Sequence, residues 1–115
     1  MARGMMNEVE YRGEIQRTYD RIEAAFAQFD PDLAECEQAM GALTITFADR
    51  SRCILSAQPS VRQLWLALAA KGTAHHFNFE PTARCWMDDK GKGIELLEFL
   101  RGYFKEIGLS LPIPT

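Results

Sequence analysis

The chain has 115 residues, 47% of them hydrophobic, with 13 basic and 16 acidic side chains and a net charge of −3. A chain of this length forms one domain and buries about two-thirds of the surface that its unfolded form exposes, which is enough to fold without a disulfide or a structural metal. We therefore predict a single domain over residues 1–115. A mildly acidic protein is not suited to neutralising a phosphate backbone, so a nucleic-acid partner is not expected.

The cysteines and the hydropathy indicate the compartment. Cys36, Cys53 and Cys85 are odd in number and far apart, which favours reduced thiols in a cytosolic protein over a disulfide framework. A reactive thiol is the alternative. No apolar run approaches the roughly 20 residues that a membrane span needs, and residues 1–7 carry no apolar core of a secretory signal. We expect a cytoplasmic protein without membrane contact.

The first element is predicted to be a long amphipathic helix. Apolar side chains recur at steps of three and four and so share one face: Tyr11, Ile15, Tyr19, Ile22, Phe26 and Phe29. The reverse face is mostly charged. Pro31 ends the helix, because the residue before a proline is disfavoured in helical conformation. The apolar stripe needs a partner surface.

Five or six mostly antiparallel strands follow. Residues 43–47 alternate apolar side chains with threonines after the break at Gly41, and a turn over 48–51 returns the chain into a strand over 52–57. The other candidate strands are residues 35–40, 62–68, 75–79 and 84–87. Their short lengths and turn-rich connections predict hairpins.

A second helix is predicted after the Gly-Lys-Gly break at residues 91–93. Its apolar residues repeat at steps of three and four from Ile94 through Leu100 and Phe104 to Ile107, and Gly108 stands at the C-terminal cap position. The tail, residues 109–115, contains two prolines and is neither helix nor central strand. Its apolar side chains predict that it packs back across the gap between the two helices.

This order of elements predicts an α+β fold. Two amphipathic helices and a one-sided sheet bury their apolar surfaces together when both helices cover one face of the sheet, as a two-layer sandwich. The other face is then left to solvent, where a large side chain is informative about function.

No motif of a familiar enzyme class is present. The sequence has no GxSxG, P-loop, GxGxxG or HExxH pattern. We therefore expect a protein that is not an enzyme.

Acidic side chains are concentrated in the first third of the chain. They follow the first helix, its C-terminal loop and the first strand: Glu8, Glu10, Asp20, Glu23, Asp30, Asp32, Glu35 and Glu37. Exposed carboxylates are hard oxygen ligands that bind iron or manganese weakly, because bulk water competes. A solvated helix face that confers solubility is the alternative, favoured by Arg17 and Arg21, which can pair with acids along the helix.

Trp65 is predicted on the solvent face of the sheet, since Leu64 and Leu66 alternate with it and belong to the core. An exposed Trp beside Gln63 is typical of a protein-binding hot spot. Partial burial by neighbouring side chains on a twisted sheet is the alternative. Trp86 is predicted in the core or at the sheet edge.

The adjacent pair His75 and His76 lies on a predicted strand, where successive side chains point to opposite faces. The two imidazoles therefore cannot bind one ion together, and one is expected on each face. A structural histidine is the simpler reading, although a single imidazole can assist a metal held by carboxylates.

Three segments together resemble the bacterial frataxins over residues 8–107. They are Gly-Ala-Leu-Thr-Ile-Thr-Phe at 41–47, Pro59 followed by Gln-x-Trp-Leu-Ala at 63–67, and His76-Phe77 with Trp86. The resemblance implies an iron-binding protein of iron–sulfur cluster assembly that regulates, or supplies iron to, a complex of cysteine desulfurase and scaffold protein. It implies weakly bound Fe²⁺ or Fe³⁺ and a monomer or an iron-dependent oligomer.

The resemblance also implies an acidic ridge on the first helix and first strand. The ridge acids that match are Glu8, Glu10, Glu23, Asp30 and Asp32, and the matching partner-facing residues are Gln63 and Trp65. Other positions commonly acidic in bacterial members are occupied here by Ala24, Ala27, Gln28, Ala34 and Cys36. Two alternatives therefore stay open: a metal-independent protein-interaction module that uses the sheet face around Trp65, and a protein with weak ferroxidase activity.

Overall fold

The computed structural model describes residues 6–113 as two helices and a six-stranded sheet. The elements are α1 (Glu8–Ala25), β1 (Ala34–Ala39), β2 (Ala42–Phe47), β3 (Arg52–Gln58), β4 (Gln63–Leu68), β5 (Thr73–Glu80), β6 (Cys85–Asp88) and α2 (Leu96–Glu106). Every strand pairs antiparallel with its neighbour in sequence, in the order β1-β2-β3-β4-β5-β6. The predicted helix–sheet–helix order is confirmed. Among the described helices, none is long and apolar enough to cross a membrane.

Both helices cover the same face of the sheet. The fully buried side chains on this covered face include Leu43, Ile45, Cys53, Leu55, Leu64, Leu66 and Phe77. They meet Tyr11, Tyr19 and Ile22 of α1 and Leu96, Leu100 and Phe104 of α2 in one core. The predicted two-layer α+β sandwich is therefore confirmed.

Two tyrosine hydroxyls attach α1 to the sheet. Tyr11 donates to the carbonyl of Gln63 at 2.6 Å and accepts the backbone N–H of Gln58 at 2.8 Å. Tyr19 donates to the carbonyl of Gly41 at 2.9 Å. Buried hydroxyls are costly unless they are hydrogen-bonded, so these bonds fix the position of the helix as well as stabilising it.

The end of α1 differs from the prediction. The α-helix ends at Ala25, a 3-10 turn covers Phe26–Gln28, and Phe29 is already extended. The assignment of Phe26 and Phe29 to one continuous helical stripe was therefore wrong. Both rings still reach the core, since the centroid of each lies 6.1 Å from that of the Phe104 ring. Aromatic packing here tolerates the change of backbone conformation.

The turn between β1 and β2 corrects the first strand. Met40 and Gly41 both have positive φ, 54° and 80°, as a two-residue hairpin turn of type I′ requires. β1 therefore ends at Ala39, one residue before the predicted end, and the Met40 side chain is fully exposed.

The second helix begins two residues later than predicted. Ile94 lies before the helix, with its N–H bonded to the Asp88 carboxylate, and the extended residue Glu95 caps the helix by accepting the N–H groups of Leu97 and Glu98. Ile107 is 41% exposed, so its place in the apolar stripe was wrong. Gly108 has φ of +84°, which fits the predicted C-terminal cap.

The tail packs against the core through Leu111 and Ile113, which are 4% and 5% exposed. Arg101 of α2 donates to the Ile113 carbonyl at 3.2 Å. The packing of the tail is thus confirmed, while its course across the gap between the helices stays a prediction. Residues 114 and 115 lie outside the described residues.

Candidate functional site

The face of the sheet that the helices leave uncovered, called the open face here, carries Trp65. The strand register puts Trp65 opposite Ser56 on one side and His76 on the other. The Trp65 indole is half-buried and lies parallel to the His76 imidazole, with 4.1 Å between ring centroids and 13° between planes. The prediction that Trp65 looks away from the core is confirmed, and neighbouring side chains do cover part of the ring.

Polar groups hold the edge of the same indole. Trp65 Nε1 donates to Gln63 Oε1 at 2.8 Å, and Gln63 Nε2 donates to Asp89 Oδ2 at 3.2 Å. Asp89 Oδ2 also lies 3.7 Å from His76 Nδ1, and the Asp89 backbone N–H donates to the His76 carbonyl at 2.9 Å. We call Gln63, Trp65, His76 and Asp89 the Trp65 network. It is a preorganised aromatic platform of the kind that anchors protein–protein contacts.

The histidines divide between the two faces of the sheet, as predicted. His75 faces the helices, where its ring lies 4.7 Å from Phe99, while His76 lies on the open face. Trp86, by contrast, is 2% exposed on the edge strand β6, and its Nε1 donates to Thr18 Oγ1 at 2.9 Å. The prediction for Trp86 is therefore confirmed.

One pair of acids on α1 lies close to the first strand. Gln38 Nε2 donates to Asp20 Oδ1 at 3.2 Å and to Glu23 Oε1 at 2.9 Å, and the Gln16 amide donates to the same Asp20 oxygen at 2.8 Å. We call Asp20 and Glu23, which the Gln38 amide connects, the amide-bridged pair. It offers exposed oxygen donors without enclosing side chains, which suits weak binding of a hard cation.

The other predicted ridge acids of α1 and its loop have separate roles. Glu8 pairs with Arg12 at 2.7 Å, and the hydrogen bond and charge of that guanidinium lower the pKa of Glu8. Glu10 closes a capping box with Asn7 at the helix N-terminus. Since α1 rises about 1.5 Å per residue, the positions of Glu8 and Glu23 are separated by about 22 Å along the helix axis. Asp30 accepts the N–H of Asp32 in the loop before β1.

The register of β1 separates two further acids from the ridge. Glu35 and Glu37 lie opposite Thr46 and Thr44 on the open face. Successive side chains alternate, so Cys36 and Gln38 are the β1 residues that face α1. Within residues 6–113, no three His, Cys, Asp or Glu side chains come together to hold a metal ion. The eight predicted metal-binding acids are thus not one cluster, and metal binding at any of them stays a prediction.

The cysteines are free thiols, as predicted. Burial raises the pKa of Cys36 and of Cys53 to about 12, and burial raises that of Cys85 as well. A raised pKa leaves little thiolate at neutral pH, which argues against a reactive thiol at these positions.

Sequence reasoning missed Gln38 and Asp89. Gln38 had no decisive local signal, because the alternation that puts it on the helix side starts from Ala34, whose burial is known only from the structure. Asp89 had none: it lies in the turn after β6 and reaches Trp65 only through the folded sheet.

Comparisons with known proteins agree with this architecture. The family model described as Frataxin-like domain matches residues 4–108. The iron-sulfur cluster assembly protein CyaY of Pseudomonas aeruginosa is 37% identical over 84 residues, covering 73% of this chain and 75% of that protein. The CyaY protein of Pseudoalteromonas atlantica is 30% identical over 113 residues, covering 96% of this chain and 99% of that protein.

Solved structures show the same fold. The frataxin of Psychromonas ingrahamii superposes with a TM-score of 0.82 at 25% identity, covering 96% of this chain and all of that one. Trimeric frataxin from Saccharomyces cerevisiae, complexed with ferrous iron, has a TM-score of 0.59 at 18% identity and covers 92% and 88% of the two chains. The family match, the relatives and the sheet topology coincide, and the chain belongs to the frataxin family.

Proposed function

We propose that the protein serves iron–sulfur cluster assembly, docking on the complex of cysteine desulfurase and scaffold protein to regulate it or to supply it with iron. The observation that carries this proposal is the Trp65 network on a face that neither helix covers. Membership in the frataxin family supports it, since several relatives are named iron-sulfur cluster assembly proteins. Docking needs no catalytic group, and none is part of the proposal.

Iron is the cargo in this proposal, and the amide-bridged pair is the place on the ridge that fits it best. Asp20 and Glu23 present hard oxygen donors at the surface, and a cation between them takes the place of the Gln38 amide N–H groups that donate to both carboxylates. Mutual repulsion of two carboxylates favours a multivalent cation between them. Water competes at an open site, so binding is weak and falls as salt screens the charges.

The alternative is an interaction module that uses the open face without a physiological metal. The observation that favours it is that, over the described part of the chain, the ridge brings two carboxylates together rather than three or more. Glu8 and Glu10 are occupied by Arg12 and by the helix cap. Weak ferroxidase activity is a further proposal, tested by oxygen consumption in the presence of ferrous iron.

Anaerobic titration of ferrous iron into ¹⁵N-labelled protein separates the two functions. We expect amide resonances around Asp20, Glu23 and Gln38 to broaden. The variant Asp20→Asn/Glu23→Gln should lose this effect, whereas Glu35→Gln/Glu37→Gln removes the same charge from the open face and should keep it. Broadening that instead centres on His75, His76 or Cys85 would show that the ridge is not the metal site.

Calorimetric binding to a bacterial cysteine desulfurase, with and without ferrous iron, completes the test. Binding in both conditions without any effect of iron supports the metal-independent module, while absence of binding in both overturns the docking proposal. Sedimentation with and without iron tests the predicted monomer or iron-dependent oligomer. The cytoplasmic location stays a prediction.

A further inference from the structure

We propose that His76 is the positioning residue of the docking face: its imidazole, when protonated beside Asp89, holds the Trp65 indole in one orientation, so that partner binding tightens as the imidazole gains its proton. The statement about partner binding rests on the proposed function above. The statement that protonated His76 orients Trp65 in the free protein does not depend on that function.

The ring geometry carries the inference. The His76 and Trp65 rings are parallel within 13°, with centroids 4.1 Å apart. A neutral imidazole stacked in this way contributes dispersion and covers one face of the indole. A charged imidazole adds attraction between the cation and the π system of Trp, which acts within about 6 Å of the ring centre. The contact is therefore stronger in the protonated state.

Several charged groups surround His76. The Asp89 carboxylate lies 3.7 Å from Nδ1, where it forms an ion pair with the imidazole when the imidazole carries its second proton. The same loop brings Asp88, Lys90 and Lys92 to the hollow that His76 lines. The Asp88 carboxylate accepts hydrogen bonds from the backbone N–H groups of Lys90, Lys92 and Ile94. The side chains of the two lysines are exposed, so solvent screens their repulsion of a charged imidazole. From β4, Gln63 and Trp65 present no formal charge, and His75 on β5 lies on the other face.

The network makes the orientation of Trp65 responsive to this charge. Asp89 Oδ2 lies between His76 Nδ1 and Gln63 Nε2, and Gln63 Oε1 accepts the indole N–H. Protonation of His76 thus strengthens the stack on the ring face and adds an ion pair to Asp89, whose carboxylate accepts a hydrogen bond from the Gln63 amide that holds the ring edge. A side chain that is already ordered loses less freedom when a partner binds, which improves affinity.

The free protein gives the first test. Imidazoles ordinarily titrate between about pH 5 and 8, so NMR spectra over that range should show the Trp65 indole N–H shifting together with the His76 ring. The indole of Trp86, bonded to Thr18 in the core, should not follow. In Asp89→Asn the shift of the Trp65 indole N–H should be smaller, because the imidazole has lost its ion-pair partner. An indole signal of Trp65 that ignores the His76 titration overturns the inference, whatever the partner does.

Binding of a bacterial cysteine desulfurase at about pH 6 and pH 7.5 gives the second test. From pH 7.5 to pH 6, we expect the affinity of the wild-type protein to rise about three- to fivefold more than that of His76→Phe, which keeps a flat ring but has no charge. His76→Ala should bind more weakly than His76→Phe at both values, and His75→Gln should keep the wild-type dependence. Equal pH dependence in wild type and His76→Phe overturns the inference. Unchanged binding by Trp65→Ala instead counts against the proposed docking face. The NMR result concerns only the free protein and does not depend on that outcome.

Discussion

The two faces of the sheet are built from the same strands and have opposite properties. On the covered face Leu43, Leu55 and Leu66 are fully buried, while their neighbours Thr44, Ser56 and Trp65 lie on the open face. Alternation along each strand thus divides one segment between two tasks. The covered face forms the buried core of the fold, and the open face directs its side chains away from that core. Substitutions on the covered face should therefore lower stability, and substitutions on the open face should change binding.

The largest effect is expected in the core. Phe104→Ala removes a fully buried ring that contacts Phe26, Phe29 and Phe47, and should lower the free energy of unfolding by about 3–5 kcal/mol. Urea denaturation measures it. Ile107→Ala, at the exposed end of the same helix, is the control and should change stability by less than about 0.5 kcal/mol. Similar midpoints for the two variants would contradict the core described here.

A buried hydrogen bond should come next. Thr18→Val keeps the shape of the side chain but leaves the Trp86 indole N–H without its acceptor, so we expect a loss of about 1–3 kcal/mol. Thr18→Ser keeps the hydroxyl and should retain most of the stability. Thermal or urea melts of both variants test this, and a Val variant as stable as Ser would show that the bond is not needed.

On the open face the effect should move from folding to binding. Trp65→Ala should weaken binding to the desulfurase or the scaffold protein by more than about 1 kcal/mol, with little change in the unfolding midpoint. Trp65→Phe keeps a ring against His76 and loses the hydrogen bond to Gln63, so its affinity should lie between those of the wild type and Trp65→Ala. A Trp65→Ala protein that unfolds much more easily would mean that the open face contributes to the core.

The smallest effect concerns acid stability. The N–H groups of Lys92 and Ile94, followed by that of Lys90, lower the pKa of Asp88 in the folded protein. Because the folded pKa lies below the unfolded value, this carboxylate stabilises the fold above about pH 4 and loses its contribution as pH falls through the folded pKa. The difference in stability between wild type and Asp88→Asn should therefore shrink toward pH 2.5. A constant difference would assign the effect to something other than ionisation.

Local sequence patterns determined most of the architecture. Helical spacing from Tyr11 to Ile22 and strand alternation around Trp65 depend on side chains a few residues apart, and so they predict the elements, the sheet face of Trp65 and the division of His75 from His76. The ends of the elements were less well predicted. Phe26, Phe29 and Ile94 have the right spacing for a helix, yet turns and caps outside that spacing decide where each helix begins and ends.

The candidate site needed the tertiary structure. The sequence of β1 has little contrast between its two faces, so only pairing with β2 shows that Gln38, and not Glu35 or Glu37, reaches α1. Asp89 joins Trp65 across strands that are far apart in sequence. Carboxylates repel one another and prefer water, so no local rule draws them together. Their neighbours are decided by strand register and helix placement, which the apolar side chains of the covered face impose.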